Sequence, residues 1–351
     1  MERLILKQLS IIIISFSFLG CSSLPESNED LNGNKVDVSL DKKETLPKPE
    51  INLEKEIEIE VIDNVWDYLK NNSSYDEIEL NEKTLSFMNR HLRNLDIFES
   101  YLMKSEYFIY HVIKKLENEN LPLELALIPF IESDYDPFSI SASGAVGIWQ
   151  FMPSTGSLFD LNKTWWNEDR HDPFKSTDAA VGYFKYLLDR FDNDLYIAIA
   201  AYNAGPSRVR KEIKKNKAKG LPTDFWSLNL PKETKAYVPK ILALTEVIRN
   251  PEKFNIELPY LANRPYFRVV ELPSQVDLMQ IANLSGLKLE VIYELNPGFN
   301  QWATDPSGPF RILLPVGIAD RFQIVLKDID PSDLVQWDKY LVKKGYYERI
   351  L

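Results

Sequence analysis

Residues 121–155 read LPLELALIPFIESDYDPFSISASGAVGIWQFMPST. Apolar residues recur at helical spacing over 123–131, which predicts a helix, and a Ser- and Gly-rich loop follows over 139–147. Glu132 comes four residues after Ile128 and seven after Leu125, so it lies on the apolar face at the end of this helix. Burial and the negative end of the helix dipole both raise the pKa of a carboxyl group there. The stretch therefore predicts one desolvated carboxyl group beside a loop whose glycines allow close approach to a ligand.

Glu132 has two interpretations when it is considered alone. A carboxyl group that stays protonated near neutral pH can donate a proton to a leaving glycosidic oxygen, whereas many glutamates at helix ends are structural. Glycoside hydrolases use a second carboxylate, and Asp134 and Asp136 are near in sequence, but a sequence gives no distance between side chains. A single carboxyl group is compatible with a reaction in which the substrate supplies the nucleophile.

Three further motifs follow residues 132–155 in the chain. They are Arg170-His171-Asp172-Pro173 with Ser176-Thr177, then Ala201-Tyr202-Asn203-Ala204-Gly205, then Glu233-Thr234 with Tyr237-Val238. Together and in this order, the motifs resemble the superfamily of soluble lytic transglycosylases and goose-type lysozymes. Ser139 and Gly156 depart from its pattern, which commonly has Ala at both positions.

The resemblance implies a lysozyme-like, all-α catalytic domain (an SLT domain) over residues 120–251. It implies that Glu132 is the only catalytic carboxyl group, acting first as acid and then as base. The side chains that it implies for the sugar subsites are Ser141, Gln150, Met152, Thr155, Tyr202, Asn203 and Tyr237. Trp149 fits a core position as well as a subsite.

The implied reaction is that of a lytic transglycosylase acting in cell wall turnover. The β-1,4 bond between N-acetylmuramic acid and N-acetylglucosamine of peptidoglycan is cleaved without water, and a 1,6-anhydromuramic acid end forms. Two alternatives stay open, a hydrolytic muramidase and a non-catalytic murein-binding lipoprotein of the envelope.

The rest of the central region is also predicted to be helical, which makes the fold class mainly α. Apolar periodicity predicts helices over 177–191, with Ser176 or Thr177 as N-cap, over 195–204 and over 232–249. An N-terminal helical segment is expected over 56–119.

A small α/β module is expected over residues 262–318, and it resembles a diverged LysM module. Residues 273–275 read Pro-Ser-Gln where LysM modules usually carry Gly-Asp-Thr. Packing against the catalytic domain and binding of N-acetylglucosamine are both compatible with this sequence. The tail, 319–351, contains residues 340–345, which resemble the first strand of another LysM module.

The N-terminus resembles that of a bacterial lipoprotein. A short basic start and the apolar run 11–19 lead to Leu19-Gly20-Cys21, which predicts a signal peptide over 1–21 and lipidation at Cys21. By the same resemblance, Ser22 after the cysteine favours the outer membrane over the inner, with the protein facing the periplasm. Polar residues 22–55 predict a disordered tether. An ordinary signal peptide with an incidental cysteine is the alternative.

Composition limits the other classes of function. The formal net charge of −11 argues against a nucleic acid partner, because phosphate binding requires clustered Lys and Arg. One cysteine and three scattered histidines give no metal-ligand spacing. We therefore expect no metal and no cofactor. The resemblance to lytic transglycosylases implies peptidoglycan glycan strands as the partner.

Overall fold

The computed structural model describes residues 63–74 and 80–335. The predicted signal peptide, Cys21, the tether and the LysM-like start at 340–345 lie outside the described residues. Among the described residues, no helix is long and apolar enough to cross a membrane.

Thirteen α-helices and two β-strands form within the described residues. The helices are α1 (Val65–Asn71), α2 (Glu82–Leu92), α3 (Leu95–Met103), α4 (Ile109–Asn118), α5 (Ile128–Ser133), α6 (Pro153–Ser157), α7 (Pro173–Arg190), α8 (Leu195–Ala204), α9 (Pro206–Ala218), α10 (Thr234–Arg249), α11 (Leu278–Ser285), α12 (Leu289–Leu295) and α13 (Val316–Leu326). The strands are β1 (Phe267–Glu271) and β2 (Arg311–Pro315).

The helix predicted over 123–131 is wrong in detail. A 3-10 helix spans Leu123–Leu127, and α5 follows from Ile128 to Ser133. Pro129 in the first turn of α5 has no backbone N–H, so the α-helical hydrogen-bond ladder cannot run through it. Asp134 then adopts a left-handed conformation with a φ of 56°, which ends α5 directly after Glu132 and Ser133.

The predicted N-cap of the next long helix is also wrong. Asp172 is the N-cap of α7, and its Oδ1 accepts hydrogen bonds from the backbone N–H groups of Phe174 and Lys175 at 2.9 and 3.1 Å. Pro173 occupies the first helical position, where its fixed φ and missing N–H are tolerated. The helix therefore begins one turn earlier than Ser176 or Thr177 would place it.

The apolar helix α8 lies at the centre of the main core. Its residues 197–201 are fully buried, and it contacts α7, α9 and α10. Gly205 ends α8 with a φ of 85°, a conformation that glycine adopts without strain, and Pro206 begins α9 immediately afterwards. Helix α10 crosses the same core and also contacts α1, α2 and α5, so it links the N-terminal helices to the helix that carries Glu132.

The C-terminal module consists of an antiparallel pair of strands with three helices. β1 pairs with β2 so that Phe267 lies opposite Pro315. A separate small core forms between the strands, α11, α12 and α13. Other side chains of the module, Leu295 and Leu313 among them, join the main core instead. The predicted fold class, mainly α with a small α/β module, is confirmed.

Candidate active site

Glu132 lies half-buried in the last turn of α5, and its carboxylate faces α10. The Tyr237 hydroxyl donates a short hydrogen bond to Glu132 Oε1. Burial raises the pKa of Glu132 to about 7, the Tyr237 hydrogen bond lowers it, the charge of Glu233 raises it and that of Lys240 lowers it. Desolvation dominates, so a large fraction of Glu132 is protonated at neutral pH.

Two tyrosines accompany this carboxyl group. Burial raises the pKa of both Tyr202 and Tyr237 well above the usual range, and the charge of Glu132 raises it further. The Tyr202 hydroxyl donates to the carbonyl oxygen of Trp149 at 2.6 Å, and its ring stacks on Phe184 at a centroid distance of 4.7 Å. The structure therefore brings together three of the side chains predicted from sequence.

Asn203 is oriented by a residue of α10. The Thr234 hydroxyl donates to Asn203 Oδ1 at 2.7 Å, and Thr234 itself is buried. With Oδ1 accepting this hydrogen bond, the amide NH2 group is the part of Asn203 that remains to donate to a ligand. The contact also joins the end of α8, which carries Tyr202, to the start of α10, which carries Tyr237.

The loop 139–151 is held in shape by its own polar side chains. Gln150 Nε2 donates to the carbonyl oxygens of Ser139 and Gly147 at 3.2 and 2.9 Å. Ser141 Oγ accepts a hydrogen bond from the backbone N–H of Ala145 at 2.9 Å. The predicted subsite residues Gln150 and Ser141 thus shape the loop.

This loop is connected to the helix of Glu132. The adjacent Ser133 hydroxyl donates to the carbonyl oxygen of Ile148 at 3.0 Å. Gly147 has a φ of 79°, and a Cβ atom there would lie 1.9 Å from the carbonyl oxygen of Arg170. Only glycine fits between the loop and the Arg170 backbone.

Arg170 joins the middle of the loop to its end, a role that its motif did not predict. Its Nη1 donates to the carbonyl oxygens of Gly144 and Phe151, at 3.0 Å each. Its Nε and Nη2 donate to the two carboxylate oxygens of Glu168 at 2.8 and 3.0 Å. Both charged side chains are buried, so this bidentate pair is a rigid strut under the loop.

The remaining predicted residues occupy the edge of this framework. Met152, at the start of α6, is 39% exposed, and Thr155 within α6 is half-buried. Trp149 is fully buried and its indole N–H donates to Thr177 Oγ1 at 2.9 Å, so it is a core residue. Within the described ranges, no three His, Cys, Asp or Glu side chains are arranged to hold a metal ion.

Comparison with known proteins identifies the family. Residues 110–224 match the transglycosylase SLT domain, and residues 266–331 match the LysM-like domain of lytic transglycosylase MltD. Over 243 residues the chain is 36% identical to membrane-bound lytic murein transglycosylase D of Escherichia coli (strain K12). The chain belongs to the transglycosylase SLT family. The family predicted from the sequence motifs is therefore confirmed.

The extent of these matches differs between relatives. The alignment with the E. coli protein covers 69% of this chain but only 54% of that protein, so the chain spans about half the length of this relative. A protein named for tributyltin chloride resistance in Alteromonas sp. (strain M-1) is 34% identical over 50% of this chain and 83% of its own length. The solved soluble lytic transglycosylase of E. coli gives a TM-score of 0.35 with 23% identity, covering 48% of this chain and 30% of that one.

The LysM-like module of this SLT-family chain packs against the segment that carries the Arg170 strut. The backbone N–H of Glu168 donates to the carbonyl oxygen of Gly298 at 2.9 Å, and the backbone N–H of Asn300 donates to Trp166 O at 2.8 Å. Arg311 Nη2 donates to Asp172 Oδ2 at 2.5 Å in a mostly buried ion pair. Sequence patterns could not reveal this junction, because each contact joins residues more than 120 positions apart.

Proposed function

We propose that the protein is a lytic transglycosylase of peptidoglycan, with Glu132 as its only catalytic carboxyl group. The observation that carries this proposal is a half-buried carboxyl group with a pKa of about 7 that is hydrogen-bonded by a buried tyrosine. A general acid works best when its pKa lies near the operating pH. Glu132 meets that condition, which an exposed glutamate would not.

In the first half of the reaction, Glu132 acts as an acid. The Tyr237 hydroxyl donates to Oε1, which leaves Oε2 to carry the proton. That proton passes to the glycosidic oxygen as the bond from the anomeric carbon of N-acetylmuramic acid breaks. The electron pair of the bond remains on the departing N-acetylglucosamine oxygen, and an oxocarbenium-like centre develops on the muramic acid.

In the second half, the same carboxylate acts as a base. The 6-hydroxyl of the muramic acid attacks its own anomeric carbon, and Glu132 accepts the hydroxyl proton. The protonated acid is thereby regenerated without water, and the product carries a 1,6-anhydro ring. The hydroxyl and amide dipoles around the carboxyl group would stabilise the charge that develops between the two steps.

The sugar subsites in this proposal lie along the two walls that meet at Glu132. One wall consists of the C-terminal end of α8 and the N-terminal part of α10. The other consists of loop 139–151 and the start of α6. The residues assigned to them are Ser141, Gln150, Met152, Thr155, Tyr202, Asn203 and Tyr237. A cleft of aromatic faces with a few oriented polar groups suits sugar rings.

The test is Glu132→Gln, assayed on purified sacculi with mass spectrometry of the released muropeptides. Gln is nearly isosteric but cannot transfer a proton, and general acid–base groups contribute about 100- to 10,000-fold. We expect the variant to bind sacculi and to leave them uncleaved, while the wild type releases anhydro ends that resist borohydride reduction. Full activity in the variant would contradict any catalytic role for Glu132, and an inactive wild type would favour the non-catalytic scaffold.

A hydrolytic muramidase is the second candidate, because Glu233 is a carboxylate close enough to raise the pKa of Glu132. In a hydrolase, Glu233 would activate a water molecule, and Glu233→Gln would abolish cleavage. In a transglycosylase, the same variant keeps producing anhydro ends. The neighbouring acids suit this second role less well, because Asp134 pairs with Lys104 at 3.0 Å and Asp136 accepts the backbone N–H of Phe138 at 2.9 Å.

We further propose that the protein is an outer-membrane lipoprotein facing the periplasm. The proposal rests on the Leu19-Gly20-Cys21 ending of the apolar run, and the E. coli relative is named as membrane-bound. The proposed organisation is a signal peptide (1–21), a tether (22–55), a helical segment (56–119), the catalytic domain (120–251), the LysM-like module (262–318) and a tail (319–351).

A further inference from the structure

Helix α9 is strongly basic, although the whole chain has a formal net charge of −11. Residues 206–219 contain seven cationic side chains and one carboxylate, Glu212. All seven cations are exposed, and they are Arg208, Arg210, Lys211, Lys214, Lys215, Lys217 and Lys219. Within the described part of the chain, Lys215 alone among them forms an ion pair, with Glu212 at 2.6 Å.

This charge density opposes folding. Like charges three or four positions apart on a helix, such as Arg210 and Lys214 or Lys211 and Lys215, repel each other by a few tenths of a kcal/mol per pair. Unpaired positive charge that is concentrated on one helix creates a positive local potential, which attracts anions although the whole protein is acidic. The helix therefore has the electrostatic character of a binding surface.

A groove runs along one side of α9. Ser207, Arg208, Lys211 and Glu212 line one wall, and residues 229–231 line the other. Glu212 is buried and already neutralised by Lys215, so Arg208 and Lys211 determine the charge of the groove. An arginine and a lysine one turn apart can bind one carboxylate together, with the guanidinium group donating two hydrogen bonds and the ammonium group adding a second positive charge.

The groove lies close to the proposed sugar subsites. Its first wall begins at Ser207, four residues after Asn203, so the Cα atoms of these two residues are at most about 15 Å apart. Its second wall, residues 229–231, is followed by α10, where Thr234 holds Asn203. A glycan strand bound against Asn203 would therefore have its side branches within reach of the groove.

We propose that this groove binds the carboxylates of the peptide stems that branch from the muramic acid residues. The inference rests on the proposed function, because it assigns a further part of the same substrate. The sugar backbone of peptidoglycan carries no net charge once its lactyl groups are amide-linked, so the anionic groups of the polymer are those of the stems. A positive groove beside a cleft for neutral sugars would favour strands that still carry peptides.

The test uses the full chain with Arg208→Gln and Lys211→Gln combined. Its substrates are untreated peptide-bearing glycan strands and the same strands after the stem carboxylates have been converted to methylamides, which removes their negative charge and leaves the lactyl amides intact. Losing two charge-assisted contacts should reduce kcat/KM about 10-fold on the untreated strands and less than about 2-fold on the methylamide strands. The matched control, Lys214→Gln with Lys217→Gln, removes the same charge from residues that do not line this groove and should show no such discrimination.

Binding measured in an inactive background separates this proposal from the proposed function. In Glu132→Gln protein, equilibrium binding to peptide-bearing strands should weaken about 10-fold when Arg208 and Lys211 are replaced, whichever reaction the wild type performs. Equal losses on both substrates, or equal losses in the control variant, would overturn the proposal. Binding to vesicles containing phosphatidylglycerol that depends on Arg208 and Lys211, with unchanged discrimination between strands, would assign the helix to a membrane surface instead.

Discussion

Replacing Tyr237 with Phe tests the electrostatic account of the active site most directly. Tyr237 is buried and its hydroxyl donates to Glu132 Oε1. This hydrogen bond stabilises the ionised carboxylate and lowers the pKa of Glu132, whereas burial raises it. Phe keeps the ring and its packing but removes the donor, so the pKa of Glu132 should rise above about 7.

The size of the shift follows from the energy of the lost hydrogen bond. Hydrogen bonds to charged groups contribute about 1.5–3 kcal/mol, and one pKa unit corresponds to about 1.4 kcal/mol. The pKa should therefore rise by about 1 to 2 units. Because the proposed reaction begins with the protonated acid, the alkaline limb of kcat/KM should move to higher pH by the same amount, while the maximal rate falls because the carboxyl group is less well oriented.

The assay is the pH dependence of kcat/KM on a soluble glycan, which reports the pKa of the free enzyme. Tyr202→Phe is the matched control, because its hydroxyl also lies near Glu132 but donates to the carbonyl oxygen of Trp149. That control should leave the alkaline midpoint in place. An unchanged or lower midpoint in Tyr237→Phe would refute the assignment of this hydrogen bond, and a rise in Tyr202→Phe would show a non-specific effect.

The remaining predictions concern stability, the loop and the anchor. Because folding raises the pKa of Glu132 from 4.5 to about 7, the wild type should lose up to about 3 kcal/mol of stability relative to Glu132→Gln as pH rises through that interval, measured by urea unfolding. Arg170→Lys keeps the charge but cannot hold Glu168, Gly144 and Phe151 together. The activation free energy obtained from kcat should rise by more than the free energy of unfolding falls, and equal changes would mean a purely structural role. Cys21→Ala should release the protein from membranes, and continued membrane partitioning with palmitate labelling would refute lipidation.

The position of Glu132 could be predicted from sequence because it depends on local periodicity. A glutamate seven residues after Leu125 falls on the face that a short helical stretch buries, and the structure places it half-buried with a raised pKa. The bounds of the stretch could not be predicted equally well. Pro129 divides it into a 3-10 helix and a short α-helix, and the apolar pattern does not distinguish these two geometries.

Other features depend on contacts that a local pattern does not contain. Trp149 fitted the core and the subsites equally well in the sequence, and only its hydrogen bond to Thr177 and its complete burial decide for the core. The Arg170–Glu168 strut was missed for the same reason. A buried ion pair two residues apart resembles an exposed charged turn until the loop that it supports is in place.

The junction with the LysM-like module bears on the two interpretations that the sequence left open for that module. Gly298 accepts a hydrogen bond from the backbone of Glu168, whose carboxylate holds Arg170, and Arg170 holds Gly144 and Phe151 of loop 139–151. A linear series of contacts thus runs from the module through Glu168 and Arg170 to the loop beside the carboxyl group. Glycan binding alone would not require contacts with the segment that supports this loop. Packing against that segment therefore accounts for the position of the module without a bound sugar. Packing alone can account for this position although residues 273–275 read Pro-Ser-Gln and not Gly-Asp-Thr.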